Sequence, residues 1–332
     1  MKALIFKRYG KSDQVEFADI ARPKPAPNEI LVQVHAAGLN PIDNMIPKGT
    51  FKPILKFDLP ATMGSDLAGV VVEAGSRVTR FKPGDAVFAS IFDLGTGALA
   101  EFACVPEDAA AFKPANLDFV QAASIPMVGL TSWQALKERI GLEPGQKVFI
   151  PAGAGGIGTF AIQLAKHLGA KVATTTSTGN VDLVRSLGAD EVIDYKTQQF
   201  EKVLRGYDAV LWTVSDAIER SLGILKPGSR IVSLVGPPDA AFARGRGMNA
   251  FMVLLFGLLS RKIIRKARKA GAAYSFLFVH PDGGQLAEIA GLLAEERVRP
   301  VIDKVFPFDQ AKQALAYLEK GRARGKVIVQ MK

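Results

Sequence analysis

The sequence is short of cysteine and histidine, the side chains that most often bind transition metals. Among its 332 residues it has one cysteine, Cys104, and three histidines, His35, His167 and His280. A single cysteine cannot form an internal disulfide, which fits a reducing compartment, and a cysteine-rich zinc lobe is excluded. We therefore expect no dedicated metal site.

Long apolar stretches are also missing. At the N-terminus a four-residue apolar run is followed at once by Lys7 and Arg8, which is not the pattern of a signal peptide. No run is long enough to span a bilayer. We expect a cytoplasmic protein without a transmembrane span.

The charge of the chain is unbalanced, with a formal net charge of +10. Such a surplus suits nucleic acid, anionic lipid or an anionic cofactor. Charge alone does not choose among these three kinds of partner.

Two kinds of pattern divide the chain. The first 120 residues consist of short apolar or alternating runs broken by glycine, proline and aspartate, such as "EILVQVHAAGL", which predicts a β-rich, barrel-like unit. From about Gln121 strand-like and helical runs alternate, as in "KVFIPA" followed by "GTFAIQLAKHLG". This alternation predicts a parallel sheet with crossover helices. Residues 282–332 return to the first unit.

A glycine cluster lies between a strand and a helix in "IPAGAGGIGTFAIQLAKHLGAKV", residues 150–172. Glycines at this point of a strand–helix–strand unit permit a sharp turn, and the helix N-terminus offers N–H groups to a diphosphate. The alternative is a helix start whose glycines serve only packing. Dinucleotide binding is the stronger interpretation.

The end of the next strand distinguishes the two nicotinamide dinucleotides. An NAD site usually has an acidic residue about 20 positions after the glycines, to bind the ribose 2′-hydroxyl. Here Ser177 and Thr178 stand at that point, no acid follows before Asp182, and Arg185 lies on the following helix. A carboxylate would repel a 2′-phosphate, whereas hydroxyl groups and backbone amides can donate hydrogen bonds to it, so NADPH is the predicted cofactor.

Several motifs occur in order along nearly the whole chain: "AAGLNPID" (36–43), "GSDLAGVVVEAG" (64–75), "FKPGDAVFA" (81–89), "GLTSWQAL" (129–136), "PAGAGGIGTFAIQLAK" (151–166), "SLGADEVIDY" (186–195) and "GRARGKVIV" (321–329). In these motifs the chain resembles the zinc-independent quinone oxidoreductase and enone reductase branch of the medium-chain dehydrogenase/reductase superfamily. The resemblance implies an α/β protein with a GroES-like catalytic domain (1–122), a Rossmann NADP-binding domain (123–281) and a C-terminal segment (282–332) that rejoins the catalytic domain. It also implies a cofactor in the cleft between the domains.

The resemblance bears on metal binding as well. Zinc-using relatives have a cysteine where this chain has Asn40 and a histidine where it has Ser65, so we expect a metal-free enzyme. Asn40 would lie near the nicotinamide and the substrate as the candidate catalytic residue; the alternative is a polar loop residue that caps a turn. Neither Tyr9 nor His35 is an obvious proton donor, and the acid is left unassigned.

The resemblance also implies the positions that bind NADPH. They follow the glycine turn, the ends of the next strands and the domain junction: Asn40, Thr131, Ala154, Gly155, Gly156, Ile157, Ser177, Thr178, Tyr195, Val235, Phe276, Leu277 and Phe278. For Tyr195 the alternative is an aromatic side chain that rests on the sheet edge.

The least expected segment is "RGRGMNAFMVLLFGLLSRKIIRKARKAG", 244–271, in which an apolar block precedes the basic run 261–269. The favoured interpretation is a cap over the substrate cleft whose charges face water. The alternative is peripheral contact of 250–269 with a membrane or with a polyanion. In the family that this chain resembles, an acidic residue usually follows the fourth strand of the sheet, and this chain has "LWTVSD" (211–216) instead. Trp212 is expected to pack there or to narrow the cleft.

Together these observations predict an NADPH-dependent, metal-free reductase of quinones or α,β-unsaturated carbonyls, acting as a homodimer or a monomer on a small-molecule substrate with no nucleic acid partner. A protein of the same fold that senses NADPH or binds RNA without turnover is the alternative.

Overall fold

The computed structural model describes residues 1–10, 15–216 and 218–332. They form two compact units, unit 1 of Met1–Leu130 with His280–Lys332 and unit 2 of Thr131–Val279. The sequence predicted domain boundaries at 122/123 and 281/282. The first boundary lies later because the helix Phe119–Ala123 packs on strands of unit 1, and Gly129 in the next helix faces Ile289 of the same unit.

The described strands are, in chain order, β1 (Lys2–Phe6), β2 (Val15–Asp19), β3 (Glu29–Leu39), β4 (Ala61–Thr62), β5 (Asp66–Ala74), β6 (Ala86–Ser90), β7 (Phe102–Pro106), β8 (Ala110–Phe112), β9 (Lys147–Ile150), β10 (Lys171–Thr176), β11 (Glu191–Asp194), β12 (Tyr207–Trp212), β13 (Leu225–Ser233), β14 (Ala273–Phe276), β15 (Ile302–Pro307) and β16 (Lys326–Gln330).

The described α-helices are α1 (Pro41–Met45), α2 (Phe119–Ala123), α3 (Pro126–Trp133), α4 (Gly156–His167), α5 (Val181–Ser186), α6 (Phe200–Val203), α7 (Ala240–Gly245), α8 (Ala250–Lys269), α9 (Gly283–Ala294) and α10 (Ala311–Glu319). A π-helical segment, Gln134–Ile140, continues α3. Short 3-10 turns occupy Glu107–Ala109, Thr178–Asn180, Ile218–Ile224 and Phe308–Gln310.

Unit 1 is built from two sheets of mostly antiparallel strands. One has the order β2-β1-β4, and the other has the order β15-β16-β3-β5-β6-β8, with β7 paired to β3. The last strand, β16, runs antiparallel to β3 and places Val327 opposite Leu39. The C-terminal segment therefore completes the sheet begun by the N-terminal residues.

Unit 2 contains a six-stranded parallel sheet in the order β11-β10-β9-β12-β13-β14. Counted from the first of these strands, this is the doubly wound order 3-2-1-4-5-6 of dinucleotide-binding domains. Helix α4 is buried along Gly158–Ala165 because it packs beside this sheet. The predicted α/β fold, with a GroES-like sheet domain and a Rossmann domain, is confirmed.

Candidate functional site

The glycine turn lies at the carboxyl end of β9, the first strand of the parallel sheet. Gly155 is the N-cap residue of α4. Two other glycines are required by close packing: a Cβ on Gly153 would lie 2.2 Å from Thr174 Oγ1, and one on Gly158 would lie 2.4 Å from the carbonyl oxygen of Ala152. A Cβ on Gly155 would meet nothing nearer than 3.3 Å. Close packing therefore constrains Gly153 and Gly158 more strongly than Gly155.

The start of α4 offers the chemistry that a diphosphate needs. The first N–H groups of any α-helix have no partners within the helix, and the helix dipole places partial positive charge there. Four of the predicted cofactor residues, Ala154 to Ile157, form this helix start. The turn thus fits a dinucleotide. Close packing alone accounts less well for a glycine at position 155 than for those at 153 and 158.

Ser177 and Thr178 follow β10, where the sequence predicts contact with a ribose or its 2′-phosphate. The Thr178 hydroxyl donates a hydrogen bond of 2.6 Å to Asp194 Oδ2, and Ser177 Oγ accepts one of 3.2 Å from Asn180 Nδ2. Asp194 ends the neighbouring strand β11, and its bond from Thr178 holds the pKa of its carboxyl below the usual value. A carboxylate that the sequence analysis missed therefore lies beside the predicted phosphate contact.

The other predicted cofactor residues of unit 2 differ in accessibility. Tyr195 and Val235 are exposed and follow β11 and β13, at the same sheet edge as the glycine turn. Thr131, Phe276 and Leu277 are buried, so any contact from them would need backbone atoms or local opening. Phe278 packs against Phe242. The cofactor roles of these residues stay predictions.

Trp212 lies in the core of unit 2. It is 1% exposed and packs against the rings of Phe149 and Phe200. Of its two predicted roles, the structure shows packing.

Unit 1 contains a buried polar cluster that we define as Asn40, Asp43, Ser65, Asp66 and Lys326; each of these residues is at most 4% exposed. They stand at the ends of structural elements, since Asn40 is the N-cap of α1, Asp66 begins β5 and Lys326 begins β16. Residues far apart in the sequence thus meet in one place.

The side-chain amide of Asn40 is fixed from both sides within the cluster. Its Nδ2 donates to Asp66 Oδ2 at 2.9 Å, and its Oδ1 accepts from Lys326 Nζ at 2.6 Å. Lys326 Nζ also lies 3.3 Å from Asp66 Oδ2, and Asp66 Oδ1 accepts from the Met127 N–H at 3.0 Å. The role of Asn40 as a catalytic residue stays a prediction, and its amide orientation is set by a charged pair.

The second carboxyl of the cluster belongs to Asp43. It accepts hydrogen bonds from the Asn40 N–H at 2.7 Å and from the Ser65 hydroxyl. Burial raises the pKa of Asp43 to about 7, with the Asp66 charge acting in the same direction. Burial also raises the pKa of Asp66, although the neighbouring Lys326 charge opposes this. Asp43 can therefore gain or lose a proton near neutral pH.

Asp43 and Ser65 also line a narrow pocket of unit 1. Its volume of ≈ 20 Å³ is about enough for one water molecule. The rest of its wall is mixed and includes the rings of Phe6 and Phe57 as well as Asp93. The carboxyl with the raised pKa therefore borders a small cavity.

The donors of the cluster do not fit zinc. Tight zinc sites use thiolate, imidazole or carboxylate ligands, usually four in number. Here the oxygens of Asn40 and Asp66 are already bound to the ammonium group of Lys326, which supplies the positive charge. Among residues 1–10, 15–216 and 218–332, no group of three or more histidine, cysteine, aspartate or glutamate side chains is placed to hold a metal ion.

The two groups set aside as proton donors remain so. His35 lies in β3 with its ring 4.2 Å from that of Phe119, and burial lowers its pKa. Tyr9 packs against Phe6. Within the buried polar cluster, the residues that the sequence analysis missed are Asp43, Asp66 and Lys326. The spacing Asn40-Pro-Ile-Asp43 is that of a capping box and could have indicated the first of them.

Comparisons with known proteins agree with this architecture. A family model for the alcohol dehydrogenase GroES-like domain matches residues 26–115, and one for zinc-binding dehydrogenases matches residues 187–329. The Danio rerio protein "NAD(P)H oxidoreductase RTN4IP1, mitochondrial" is 36% identical over 358 residues, covering 99% of this chain and 91% of its own. The Arabidopsis thaliana "NADPH-dependent alkenal/one oxidoreductase, chloroplastic" is 34% identical, with 99% and 79% covered.

The structure of the quinone oxidoreductase from Coxiella burnetii superposes with a TM-score of 0.85 at 31% identity, over 100% of this chain and 99% of that one. Together with the two-unit fold, these relatives indicate a nicotinamide-dependent oxidoreductase. The chain belongs to the quinone oxidoreductase branch of the medium-chain dehydrogenase/reductase superfamily.

Proposed function

We propose that this chain is an NADPH-dependent, metal-free reductase that transfers hydride to quinones or α,β-unsaturated carbonyls. The relatives support this substrate class, since they are named as a quinone oxidoreductase and an alkenal/one oxidoreductase. The glycine turn at the start of α4 supports the dinucleotide. A bound nicotinamide would supply the hydride.

The observation that carries the proposal is the ammonium group of Lys326 among the donors of the buried polar cluster. The ammonium group donates a hydrogen bond of 2.6 Å to Asn40 Oδ1 and lies 3.3 Å from Asp66 Oδ2. Because these oxygens already bind the ammonium group, they are not free to hold a metal ion that would act as a Lewis acid on a simple alcohol or ketone. A conjugated acceptor needs none, because the arriving charge is delocalised as a phenolate or an enolate.

Reduction by hydride also requires a proton. Within the described residues, Asp43 with Ser65 is the pair that combines burial, a hydrogen bond and access to the pocket. The pKa of Asp43, near 7, lets it hold a proton at neutral pH. In this proposal Asp43 holds the proton and the Ser65 hydroxyl passes it towards the pocket.

Preference for NADPH would come from the hydroxyls of Ser177 and Thr178. Asp194 opposes this preference, because its carboxylate accepts a hydrogen bond from the Thr178 hydroxyl and would repel a 2′-phosphate. We therefore expect a modest preference over NADH. The cytoplasmic location also stays a prediction, because the names of the two relatives place them in mitochondria and chloroplasts.

The test is acceptor-dependent oxidation of NADPH by the purified protein, after dialysis against a chelator, with a panel of quinones, 2-alkenals, enones and simple ketones. We expect turnover with the conjugated acceptors and none with the simple ketones. NADPH binding without turnover across the panel would favour a cofactor sensor. Turnover that returns only when zinc is added would contradict the metal-free mechanism.

A further inference from the structure

Helix α8 presents an unusual stripe to solvent. Its buried side is formed by Phe256, Ser260, Ile263 and Ala267. At 100° per residue, the opposite side is a single row at spacings of three and four residues. We name this row the α8 stripe; it consists of Phe251, Leu254, Leu258, Arg261, Arg265 and Arg268.

The α8 stripe changes character along its length. Its first half exposes large apolar side chains, since Phe251 is 69%, Leu254 63% and Leu258 56% exposed. Its second half consists of three exposed arginines. The helix is about 30 Å long, so apolar and cationic halves lie end to end on one face.

The arginines of the stripe are not used by the fold. In the part of the chain that the structure describes, no ion pair involves Arg261, Arg265 or Arg268, whereas Lys266 on the flank lies 3.4 Å from Glu219. Residues 250–269 contain no aspartate or glutamate. The face therefore carries uncompensated positive charge beside uncovered apolar surface.

The cap interpretation explains charges that face water, but it does not explain three large apolar side chains that do so as well. Association of two copies through this face fits poorly, because an antiparallel pair would set the apolar half of one helix against the arginines of the other, with no carboxylate to balance them. A nucleic acid would engage the arginines and leave the apolar half exposed.

A bilayer surface rich in anionic lipid satisfies both halves at once. Apolar side chains of an interfacial helix enter the boundary between headgroups and acyl chains, while neighbouring cations bind anionic headgroups. The described residues contain no helix that is long and apolar enough to cross a membrane, and the stripe is suited to lying on the surface. We propose that the α8 stripe docks this protein on anionic phospholipid membranes.

The experiment is co-sedimentation of the full chain with vesicles of phosphatidylcholine alone and of phosphatidylcholine mixed with phosphatidylglycerol. We expect binding to the mixed vesicles only, weakened by salt. Each cation near an anionic surface contributes about fivefold in affinity, so R261Q/R265Q/R268Q should bind about a hundredfold more weakly. F251Q/L254Q should bind about tenfold more weakly or worse, because the apolar side chains that would leave water on binding have been removed.

The matched control is K24Q/K56Q/K82Q, which removes the same charge from exposed lysines of unit 1. We expect this variant to bind within about threefold of the natural sequence. Equal losses in the control and in the arginine variant would overturn the proposal, as would unchanged binding of F251Q/L254Q or tighter binding to a single-stranded RNA than to the mixed vesicles. Vesicle binding needs no turnover, so its result is independent of the proposed reductase activity.

Discussion

Substitution of Lys326 by methionine tests the charge balance of the buried polar cluster. The change keeps much of the side-chain volume and removes the ammonium group that binds Asn40 Oδ1 and pairs with Asp66. The Lys326 and Asp66 side chains are 5% and 0% exposed, so solvent cannot replace the lost partner. Asp66 would be left as an unpaired buried carboxylate.

Breaking a buried pair from one side costs about 3–5 kcal/mol. We expect Lys326→Met to lower the free energy of unfolding by this amount. Removing the second charge as well, in K326M/D66N, should recover most of the loss, because the remaining amide can still accept from the Met127 N–H. Lys320→Met, at an exposed position of the same unit, should change stability by less than about 0.5 kcal/mol.

The assay is urea unfolding followed by two probes. Circular dichroism reports on both units, whereas both tryptophans, Trp133 and Trp212, belong to unit 2. The dichroism transition should move in K326M, and tryptophan fluorescence shows whether unit 2 unfolds with it. A loss below about 1 kcal/mol in K326M, or a double variant less stable than the single one, would refute the reasoning.

Three further predictions concern the proton, the cofactor and the glycine turn. The pKa of Asp43 is raised to about 7 in the folded chain, so its contribution to stability is present near pH 4 and is lost as the pH rises to 7. Measured by urea unfolding and relative to Asp43→Asn, the natural chain should lose about 4 kcal/mol of its free energy of unfolding over this range. In the natural chain alone, kcat/KM should also fall above pH 7. Asp194→Asn should raise the NADPH-to-NADH ratio of kcat/KM about threefold, since a like charge beside Thr178 is removed; an unchanged ratio would place the 2′-phosphate elsewhere. Gly158→Ala should destabilise the fold by about 1–3 kcal/mol, because its Cβ would lie 2.4 Å from the carbonyl oxygen of Ala152. Gly155→Ala, whose Cβ would lie 3.3 Å from the same oxygen, should cost less stability and should weaken NADPH binding, measured by titration; the reverse pattern would contradict the roles assigned to the two glycines.

The two-unit fold could be predicted because its signals are local. The glycine cluster lies directly between β9 and α4, and the change of period after Gln121 marks the parallel sheet. Such patterns depend on neighbouring residues, whose backbone geometry fixes which faces are buried. The sequence analysis also expected residues 282–332 to rejoin the first unit, but it did not identify β3 as the strand that β16 pairs with.

The interior of unit 1 could not be predicted in the same way. Lys326 and Asn40 are 286 residues apart in the sequence, and a lysine is among the side chains least expected in a protein interior. The approach of Asp194 to Thr178 likewise depends on the pairing of β10 with β11. A search along the chain for an acid about 20 positions after the glycines does not find a residue that a neighbouring strand delivers.

The most direct measurement of the central claim uses NADPH that carries deuterium at the transferable position of the nicotinamide. The chelator-treated protein is given an enone, and the product is analysed by mass spectrometry. The account predicts one deuterium on the carbon β to the carbonyl in each product molecule, with no added metal. The account would be contradicted if the product lacked deuterium at that carbon whichever face of the nicotinamide carried the label. It would also be contradicted if transfer occurred only with zinc present.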